Sequence, residues 1–214
     1  MGGESLDNVE IDARGLIGDR WYAVEDDEGR FASGKNTRRF RRRDAVFDYS
    51  AYTEPGGRVV VTRGGNRWYI GDQSLDRRLS EAMGTAVRIT PETDVPHQDM
   101  GSVSIVSTAT LQWCASRWGG NPDPRRLRVN IVVDSAEPFV EERWVDRELE
   151  LGSTRLRVVE RVPRCRMIDI RQAGAEPSSQ WLKSVAQERD MFLAVYADVS
   201  QPGQINLGDQ LQPA

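Results

Sequence analysis

The thiol of Cys165 is the side chain in this sequence that best suits soft-metal or nucleophilic chemistry. The chain has two cysteines and one histidine, so few residues could carry chemistry of either kind. Cys165 lies between a strand-like run that ends at Val162 and another that begins at Met167. Between them, Pro163 lacks a backbone N–H and marks a strand end or a bulge, where side chains are turned towards a cleft. This setting leaves two interpretations open, a functional thiol and an ordinary structural cysteine.

Arginines are concentrated around Cys165 in the sequence. Six fall within 17 residues, namely Arg155, Arg157, Arg161, Arg164, Arg166 and Arg171. A positive field favours the thiolate, which is the form that binds metals. In a regular strand, however, Arg164 and Arg166 would point away from Cys165, so a shared site requires an irregular backbone at Pro163. The alternative is that these arginines line the solvated face of an edge strand.

The other cysteine and the single histidine are weaker candidates. Cys114 falls on the apolar stripe of a predicted helix, where a thiol behaves as a small hydrophobic side chain, so we interpret it as a packing residue. His97 lies in a polar stretch and follows a proline. One histidine cannot build a multi-histidine zinc or iron site, and nothing near His97 resembles a Ser-His-Asp or Cys-His hydrolase.

Two charged runs in the first half of the chain have ordinary interpretations. The basic run consists of Lys35, Arg38, Arg39, Arg41, Arg42 and Arg43. A solvated loop is its default interpretation, and the alternative is a rim that attracts a phosphate or carboxylate ligand through guanidinium contacts. The acidic run at 25–28 lacks the spacing of an EF-hand and predicts a charged hairpin turn. The net charge of -4 and the few interleaved aromatic residues disfavour a nucleic-acid surface.

Composition indicates a globular protein. Hydrophobic residues make up 38% of the chain, which is enough to bury a core. No stretch approaches the roughly 18 consecutive apolar residues of a membrane span, and the N-terminus lacks the apolar core of a signal peptide. The two cysteines do not indicate a disulfide framework. We therefore expect a cytoplasmic protein with no membrane attachment.

Short strands separated by turn residues dominate the predicted secondary structure. Strands are predicted at 20–25, 45–52, 58–63, 67–70, 86–89, 103–106, 128–134, 148–151, 155–162, 167–170 and 192–199. Helices are predicted at 75–83, 111–118 and 181–185; Gly84 and Gly119 end the first two, and Ser107 or Thr108 caps the second. Glycines between Val61 and Trp68 predict a hairpin. The pattern favours a mainly β (α+β) fold, either a barrel or a sandwich.

The polar, proline-bearing stretch at 90–101 is the best domain boundary in the sequence. It predicts a β-rich domain at 1–92 and a second domain at 93–214, which holds both cysteines.

Several segments, in order along the chain, resemble the MOSC family, named after the C-terminal domain of molybdenum cofactor sulfurase. In the first half the segments are 15–24 (GLIGDRWYAV) and 32–36 (ASGKN), which resemble the N-terminal extension that often precedes the domain. In the second half they are 107–111 (STATL), 127–133 (LRVNIVV), 139–144 (FVEERW), 163–165 (PRC), 195–197 (VYA), 202–203 (PG) and 208–209 (GD). The ordered set is similar to the mitochondrial amidoxime-reducing component branch. It implies a MOSC-type β-barrel with a smaller β-rich N-terminal subdomain and a few packed helices.

The resemblance also implies a site. In the family, the cysteine at the position of Cys165 ligates molybdenum or carries sulfur. The residues implied to surround the pterin and its phosphate are Arg20, Lys35, Ser107, Thr108, Arg128 and Asn130, with Arg164 beside the metal ligand. Arg128 and Asn130 are two residues apart, which would place them on one strand face.

Two departures from the family pattern stand out. Relatives begin with a strand that ends in Tyr-Pro-Val-Lys-Ser, whose lysine and serine help to hold the cofactor, whereas this chain starts at 1–4, where that strand should finish. Either the natural start lies upstream, or this form lacks part of the pocket and leaves a neighbouring strand unpaired. The unpaired edge leaves open a homodimer. The second departure is Val129, where many relatives have proline.

The resemblance leaves three functions open. The leading one is a molybdenum-cofactor oxidoreductase that acts on small N-hydroxylated or N-oxide substrates. The sequence shows no cysteine set for an iron-sulfur cluster and no flavin or nicotinamide fingerprint, so electrons would come from a separate donor protein. The second is a sulfur carrier that holds a persulfide on Cys165, although 214 residues leave no room for the pyridoxal-phosphate domain of the full sulfurase. The third is a non-catalytic module that binds the cofactor or another anion.

Overall fold

The structure, a computed structural model, describes residues 1–172, 175 and 179–214. In these residues the strands are β1 (Asn8–Asp12), β2 (Gly15–Leu16), β3 (Tyr22–Asp26), β4 (Phe31–Ser33), β5 (Phe40–Arg42), β6 (Ser50–Thr53), β7 (Val59–Arg63), β8 (Asn66–Tyr69), β9 (Val87–Pro91), β10 (Val103–Ser107), β11 (Ile131–Val133), β12 (Glu148–Leu151), β13 (Thr154–Pro163), β14 (Phe192–Gln201), β15 (Gly203–Asn206) and β16 (Leu211–Pro213). The helices are α1 (Gln73–Met83), α2 (Thr108–Trp118) and α3 (Trp181–Glu188). Four 3₁₀ turns lie at Asp44–Asp48, Pro124–Leu127, Val140–Trp144 and Arg166–Asp169.

The mainly β (α+β) class is confirmed. The described chain divides into two compact units. The first contains Met1–Ser5, Arg20–His97 and the described residues of 170–176; the second contains Leu6–Asp19, Gln98–Asp169 and the described residues of 177–214. The domain boundary at 92 and 93 stays a prediction. No helix in the described ranges combines the length and apolarity needed to cross a bilayer.

The first unit consists of two sheets and helix α1. One sheet has the order β5-β4-β3-β9 and the other has the order β6-β7-β8. The predicted hairpin joins β7 to β8 through Gly64 and Gly65, whose φ angles of 55° and 80° favour glycine. Helix α1 buries Leu75 and Leu79 on one face and ends at a left-handed Gly84, as its pattern predicts.

Asp26 closes the β3–β4 hairpin of the first unit from a buried position. Its carboxylate accepts backbone hydrogen bonds from Glu28 and Arg30 at 3.1 and 3.0 Å and pairs with Arg43 at 2.8 Å. Burial alone would raise the pKa of Asp26, but the bonds from Arg43 and the two backbone N–H groups outweigh it and lower the pKa. The carboxylate of Asp26 therefore stabilises the predicted hairpin turn, together with the backbone hydrogen bonds that join Asp26 to Gly29 and Arg30.

We expect Asp26→Asn to lower the free energy of unfolding by about 2 kcal/mol at pH 7. Because the folded pKa lies below the unfolded one, the stabilisation is present above the unfolded pKa and is lost as the pH falls through the folded pKa. The difference from wild type in urea titrations should therefore shrink as the pH falls below 3.8, the ordinary pKa of an aspartate. Asp48→Asn, which breaks the exposed pair with Arg63, is the matched control. A difference that stays constant with pH would contradict the assignment.

The second unit is built on a six-stranded sheet with the order β11-β10-β14-β13-β12-β16. Strand β10 is buried along its whole length, so both of its faces are covered. Strands β13 and β14, ten residues each, pair with register shifts, and such bulges bend and curl a sheet. A smaller sheet has the order β15-β1-β2, and the α2–α3 side carries Trp113, Trp118 and Trp181, with Trp118 in edge contact with both others.

Three of the predicted strands are wrong in whole or in part. The run 45–52 begins as a 3₁₀ turn in which Val46 and Phe47 are both buried, whereas neighbouring residues of a strand point to opposite faces. The run 167–170 belongs to the 3₁₀ turn Arg166–Asp169. The run 128–134 becomes a strand only at Ile131, because Arg128 has φ 55° and ends a 3₁₀ turn.

Candidate functional site

The candidate site lies in the second unit, where β13 ends. The last residue of β13 is Pro163, and the N–H of Arg164 donates to the carbonyl of Met191 at 2.7 Å. Cys165 follows as a half-buried cysteine with no disulfide, and its carbonyl accepts from the N–H of Ile168 at 3.3 Å. The backbone thus leaves the sheet directly after Pro163 and turns, which is the irregularity that the sequence required for Arg164 and Cys165 to share a site.

Arg164 is a buried cation beside Cys165. Its Nε donates to the carbonyl of Leu193 at 2.8 Å and its Nη1 to the carbonyl of Leu127 at 2.9 Å. Its Nη2 is also buried but has no hydrogen-bond acceptor among the residues that the structure describes. Burial lowers the pKa of Arg164 to about 10, and the acids that oppose this shift are Tyr196, Cys165 and Cys114. The guanidinium therefore stays charged at neutral pH, and its unpartnered Nη2 is a donor that suits an anionic group.

Cys114 is a core residue of α2. It has no exposed surface and packs with Leu111, Leu127 and Leu193. Burial raises the pKa of the Cys114 thiol to about 12, so the thiol is protonated at neutral pH. Of the two thiols, Cys165 is therefore the one placed for ligand or sulfur chemistry.

Ser107 and Thr108 lie where β10 passes into α2. Ser107 is the N-cap, and its hydroxyl accepts from the N–H of Thr110 at 3.1 Å. The hydroxyl of Thr108 donates to Asp134 at 2.8 Å and accepts from the N–H of Ser135 at 3.2 Å. Ser107 thus caps α2, and Thr108 fixes the start of α2 against the segment that follows β11.

Arg128 and Asn130 do not share a strand face, which corrects the geometric prediction. Arg128 has the left-handed conformation after the turn Pro124–Leu127, and Asn130 precedes β11. The side-chain oxygen of Asn130 accepts from the N–H and hydroxyl of Ser104 at 3.0 and 2.8 Å, and its amide donates to Asp19 at 3.0 Å. Asn130 therefore holds the entry to β11 against β10. Arg164 donates to the carbonyl of Leu127. The residue directly before Arg128 is therefore held in place by Arg164.

Arg20 and Lys35 lie in the first unit and are described with it. Arg20 has φ 55°, and its carbonyl is 3.1 Å from Nδ1 of His97. The Nζ of Lys35 lies 5.2 Å from the ring centroid of Phe40, within the range of a cation–π contact. The roles predicted for both residues stay predictions.

Two residues of the site were missed at the level of sequence. Arg126 is buried; its Nε donates to the carbonyl of Ile168 at 3.2 Å and its guanidinium lies 3.9 Å from the ring of Trp181. Asp169 accepts from the N–H of Trp181 at 2.7 Å. The pair Asp123-Pro124 predicts a helical turn at Arg126. No local pattern indicates Asp169, because its partners are 12 or more residues away.

The candidate site offers a metal one cysteine ligand, the thiol of Cys165. Among the described residues, no group of three or more His, Cys, Asp or Glu side chains is placed to hold a metal ion. A metal bound by Cys165 would therefore take its other ligands from a cofactor, and molybdenum bound through a pterin fits this requirement. The unpartnered N–H of Arg164 fits the anionic character of such a cofactor.

Two comparisons with known proteins relate this chain to the MOSC domain and to molybdenum cofactor sulfurase. The model of the MOSC domain matches residues 92–212, more than half of the chain. The chain is 34% identical over 65 residues to the molybdenum cofactor sulfurase of Danio rerio, covering 30% of this chain and 8% of that protein. It is 30% identical over 95 residues to the enzymes of Bos taurus and Homo sapiens, covering 41% of this chain and 10% of each of theirs. The chain thus spans about a tenth of the length of these relatives.

Two solved structures are similar at low sequence identity. The YUAD protein of Bacillus subtilis is 12% identical, covers 97% of this chain and 85% of its own, and has a TM-score of 0.47. YiiM of Geobacillus stearothermophilus is 16% identical, covers 53% of this chain and 54% of its own, and has a TM-score of 0.41.

Proposed function

Because the chain belongs to the MOSC domain family, we propose that it binds the molybdenum cofactor and reduces small N-hydroxylated or N-oxide substrates. In this proposal the Cys165 thiolate ligates the metal, and a separate donor protein supplies electrons. The observation that carries the proposal is a half-buried, unbridged thiol that directly follows a buried guanidinium with an unpartnered N–H. Both residues lie within the matched range 92–212.

Each candidate site residue in the second unit has a distinct role in this proposal. Cys165 supplies one soft ligand, and Nη2 of Arg164 donates to an anionic group next to it. Arg128 would contact the pterin or its phosphate, and the backbone directly before it is held because Arg164 donates to the carbonyl of Leu127. Ser107, Thr108 and Asn130 would act through the backbone in this proposal, because their internal hydrogen bonds position the ends of β10, β11 and α2 around the pterin. When bound, the molybdenum cofactor supplies the two-electron redox chemistry.

The first unit would contribute cationic contacts. Arg20 and Lys35 are proposed to hold the phosphate of the pterin, because guanidinium and ammonium groups bind phosphate through charge-assisted hydrogen bonds.

A sulfur carrier is the second candidate, and the similarity to proteins named molybdenum cofactor sulfurase favours it. In that function Cys165 holds a persulfide and Arg164 stabilises its negative charge. Persulfide transfer needs an accessible thiol, and Cys165 is half-buried rather than enclosed. A module that binds the cofactor without catalysis is the remaining alternative.

The distinguishing experiment measures metal and sulfur on the same purified wild-type protein. Molybdenum per chain is determined by plasma mass spectrometry, and persulfide on the Cys165 peptide is determined by alkylation and peptide mass spectrometry. Near-stoichiometric molybdenum together with reduction of an N-hydroxylated test substrate supports the oxidoreductase. Persulfide without molybdenum supports the carrier, and molybdenum without reduction in the presence of a chemical electron donor supports the binding module.

One substitution of Arg128 tests two effects: that of its left-handed backbone on stability and that of its side chain on cofactor binding. Arg128→Gly removes the guanidinium and suits φ 55°, relieving about 1 kcal/mol of left-handed strain. We therefore expect unchanged or higher thermal stability and about a tenfold lower molybdenum content, because one charge-assisted contact is lost. Arg125→Ala, which removes an exposed arginine of the same turn, is the control. An equal molybdenum content in Arg128→Gly and wild type would show that the Arg128 side chain does not help to bind the cofactor.

A further inference from the structure

Helix α3 begins without a cap of its own. The side chain of Gln180, at the N-cap position, makes no capping hydrogen bond. The carboxylate of Asp169 takes that place, accepting from the N–H of Trp181 at 2.7 Å and from the N–H of Leu182 at 3.2 Å. A carboxylate at this end of a helix satisfies unpaired N–H groups and interacts favourably with the helix dipole. The start of α3 thus depends on a side chain from another segment.

Asp169, which supplies this carboxylate, is also part of the turn that directly follows Cys165. Asp169 is the last residue of the 3₁₀ turn Arg166–Asp169, and the N–H of Ile168 within it bonds the carbonyl of Cys165. Ile168 is buried, so this turn is packed into the core rather than lying on the surface. One short turn therefore links the position of Asp169 to the position of Cys165.

Arg126 locks this turn to α3. Its Nε donates to the carbonyl of Ile168 at 3.2 Å, and its Nη2 lies 3.6 Å from Oδ1 of Asp169. The Arg126 side chain is 4% exposed and that of Asp169 is 19% exposed, so solvent screens the pair only weakly. The guanidinium also stacks on Trp181, the first residue of α3. Arg126 and Asp169 together join the segment after Cys165 to the first turn of the helix.

We infer that Asp169 is a positioning residue for Cys165. Arg164 fixes the residue before the thiol through the carbonyls of Leu127 and Leu193, and Asp169 with Arg126 fixes the turn after it. The backbone that carries the thiol is thus fixed on both sides, whether the thiol carries metal or sulfur. The order of α3 and the reactivity of Cys165 are coupled through one carboxylate, and such coupling is reciprocal. This inference deepens the proposed function by adding a residue that acts on the same site.

The test uses the full chain, expressed without added molybdate so that the thiol is open to reagent. We expect Asp169→Asn to raise the rate constant for iodoacetamide alkylation of Cys165 about fivefold, the factor for loss of a typical helix cap. Peptide mass spectrometry separates this reaction from that of Cys114. Amide hydrogen exchange at Trp181 and Leu182 should accelerate in the same variant, because their N–H groups lose a charged acceptor.

The control removes a carboxylate from the other end of the same helix. Glu188 accepts from Arg117 and Trp118 at 3.0 and 3.1 Å, so Glu188→Gln loosens α3 against α2 without touching the Cys165 turn. Wild-type alkylation of Cys165 in Glu188→Gln, with faster alkylation in Asp169→Asn, supports the inference. Faster amide exchange in Asp169→Asn with unchanged alkylation would show that Asp169 only caps α3, and would overturn it.

A second variant keeps the test decisive if Asp169→Asn folds poorly. Asp169→Glu retains the charge on a longer arm, and we expect its alkylation rate to lie between those of wild type and Asp169→Asn. A rate equal to wild type together with accelerated exchange at Trp181 would count against the inference. Because neither measurement needs bound metal, failure here is distinct from failure of the proposed molybdenum function.

Discussion

Replacing Cys165 by serine is expected to lower the molybdenum content of the purified protein at least about 100-fold, since losing a residue that merely supports a metal ligand already costs about 10- to 100-fold. A serine hydroxyl remains protonated at neutral pH and is a poor ligand for a soft metal site. The remaining contacts could still hold the pterin weakly, so the metal should be lost on gel filtration. Molybdenum per chain, measured before and after that step, checks the expectation.

Cys114→Ala is the matched control for this experiment. Its thiol is enclosed in the core, and burial raises its pKa to about 12, which keeps it protonated. We expect Cys114→Ala to retain molybdenum while losing about 1 kcal/mol of stability through a small cavity. Full molybdenum in Cys165→Ser would refute Cys165 as the ligand. Loss of metal in both variants to the same degree would point to a general effect on folding.

Replacing Arg164 by alanine is expected to lower the free energy of unfolding by about 2 kcal/mol. The change leaves the carbonyls of Leu127 and Leu193 without the donors that now reach them, and each buried orphan costs about 1–3 kcal/mol. An opposing effect reduces the total. Burial lowers the pKa of Arg164 to about 10, so the folded state destabilises the charged guanidinium at neutral pH, and alanine removes that cost.

The pH dependence of Arg164 has a definite sign. A cation whose folded pKa lies below its unfolded pKa weakens the fold at neutral pH, and the weakening disappears as the pH rises from the folded towards the unfolded value. An anion bound at Nη2 would oppose the same cost at neutral pH. We therefore expect Arg164→Ala to lose at least about tenfold in molybdenum content in addition to its loss of stability.

Urea unfolding and metal analysis of three variants check this pair of effects. Arg157→Ala removes an exposed arginine from the same strand and should stay within about 0.5 kcal/mol of wild type. Arg164→Lys keeps the charge but not the planar fork, so it should fall between wild type and Arg164→Ala in both measurements. If Arg164→Ala unfolds as wild type does, the two carbonyl bonds do not stabilise the fold as described.

Regular periodicity made part of this molecule predictable. The stripe of Leu75 and Leu79 and the stop at Gly84 define α1, and the N-cap of α2 is Ser107, one of the two residues that the sequence proposed for it. The end of β13 at Pro163 was predictable because proline removes a ladder donor, and the thiol beyond it followed from its position. These features depend on neighbours in sequence, which a single chain displays directly.

The remaining parts depend on tertiary contacts. The left-handed Arg128 was predicted as strand because β-branched residues follow it at Val129 and 131–133, and the 3₁₀ turn that it ends was not recognised. The turn Arg166–Asp169 reads as an apolar run, yet Ile168 is buried by packing and Asp169 caps a helix that starts 12 residues later. Long-range partners of this kind leave no periodic trace in the sequence.

The two hydrogen bonds that Arg164 donates to carbonyl groups also affect the order in which the chain folds during synthesis. Leu193 lies 29 residues after Arg164 and Leu127 lies 37 residues before it, so the guanidinium gains its full set of acceptors only when β14 has left the ribosome. Until then, burying the unpaired charge would be costly, and the nascent Cys165 segment should remain open. We expect the Cys165 segment to assume its final conformation only after β14 has paired with β13, so that a ligand loads after that step.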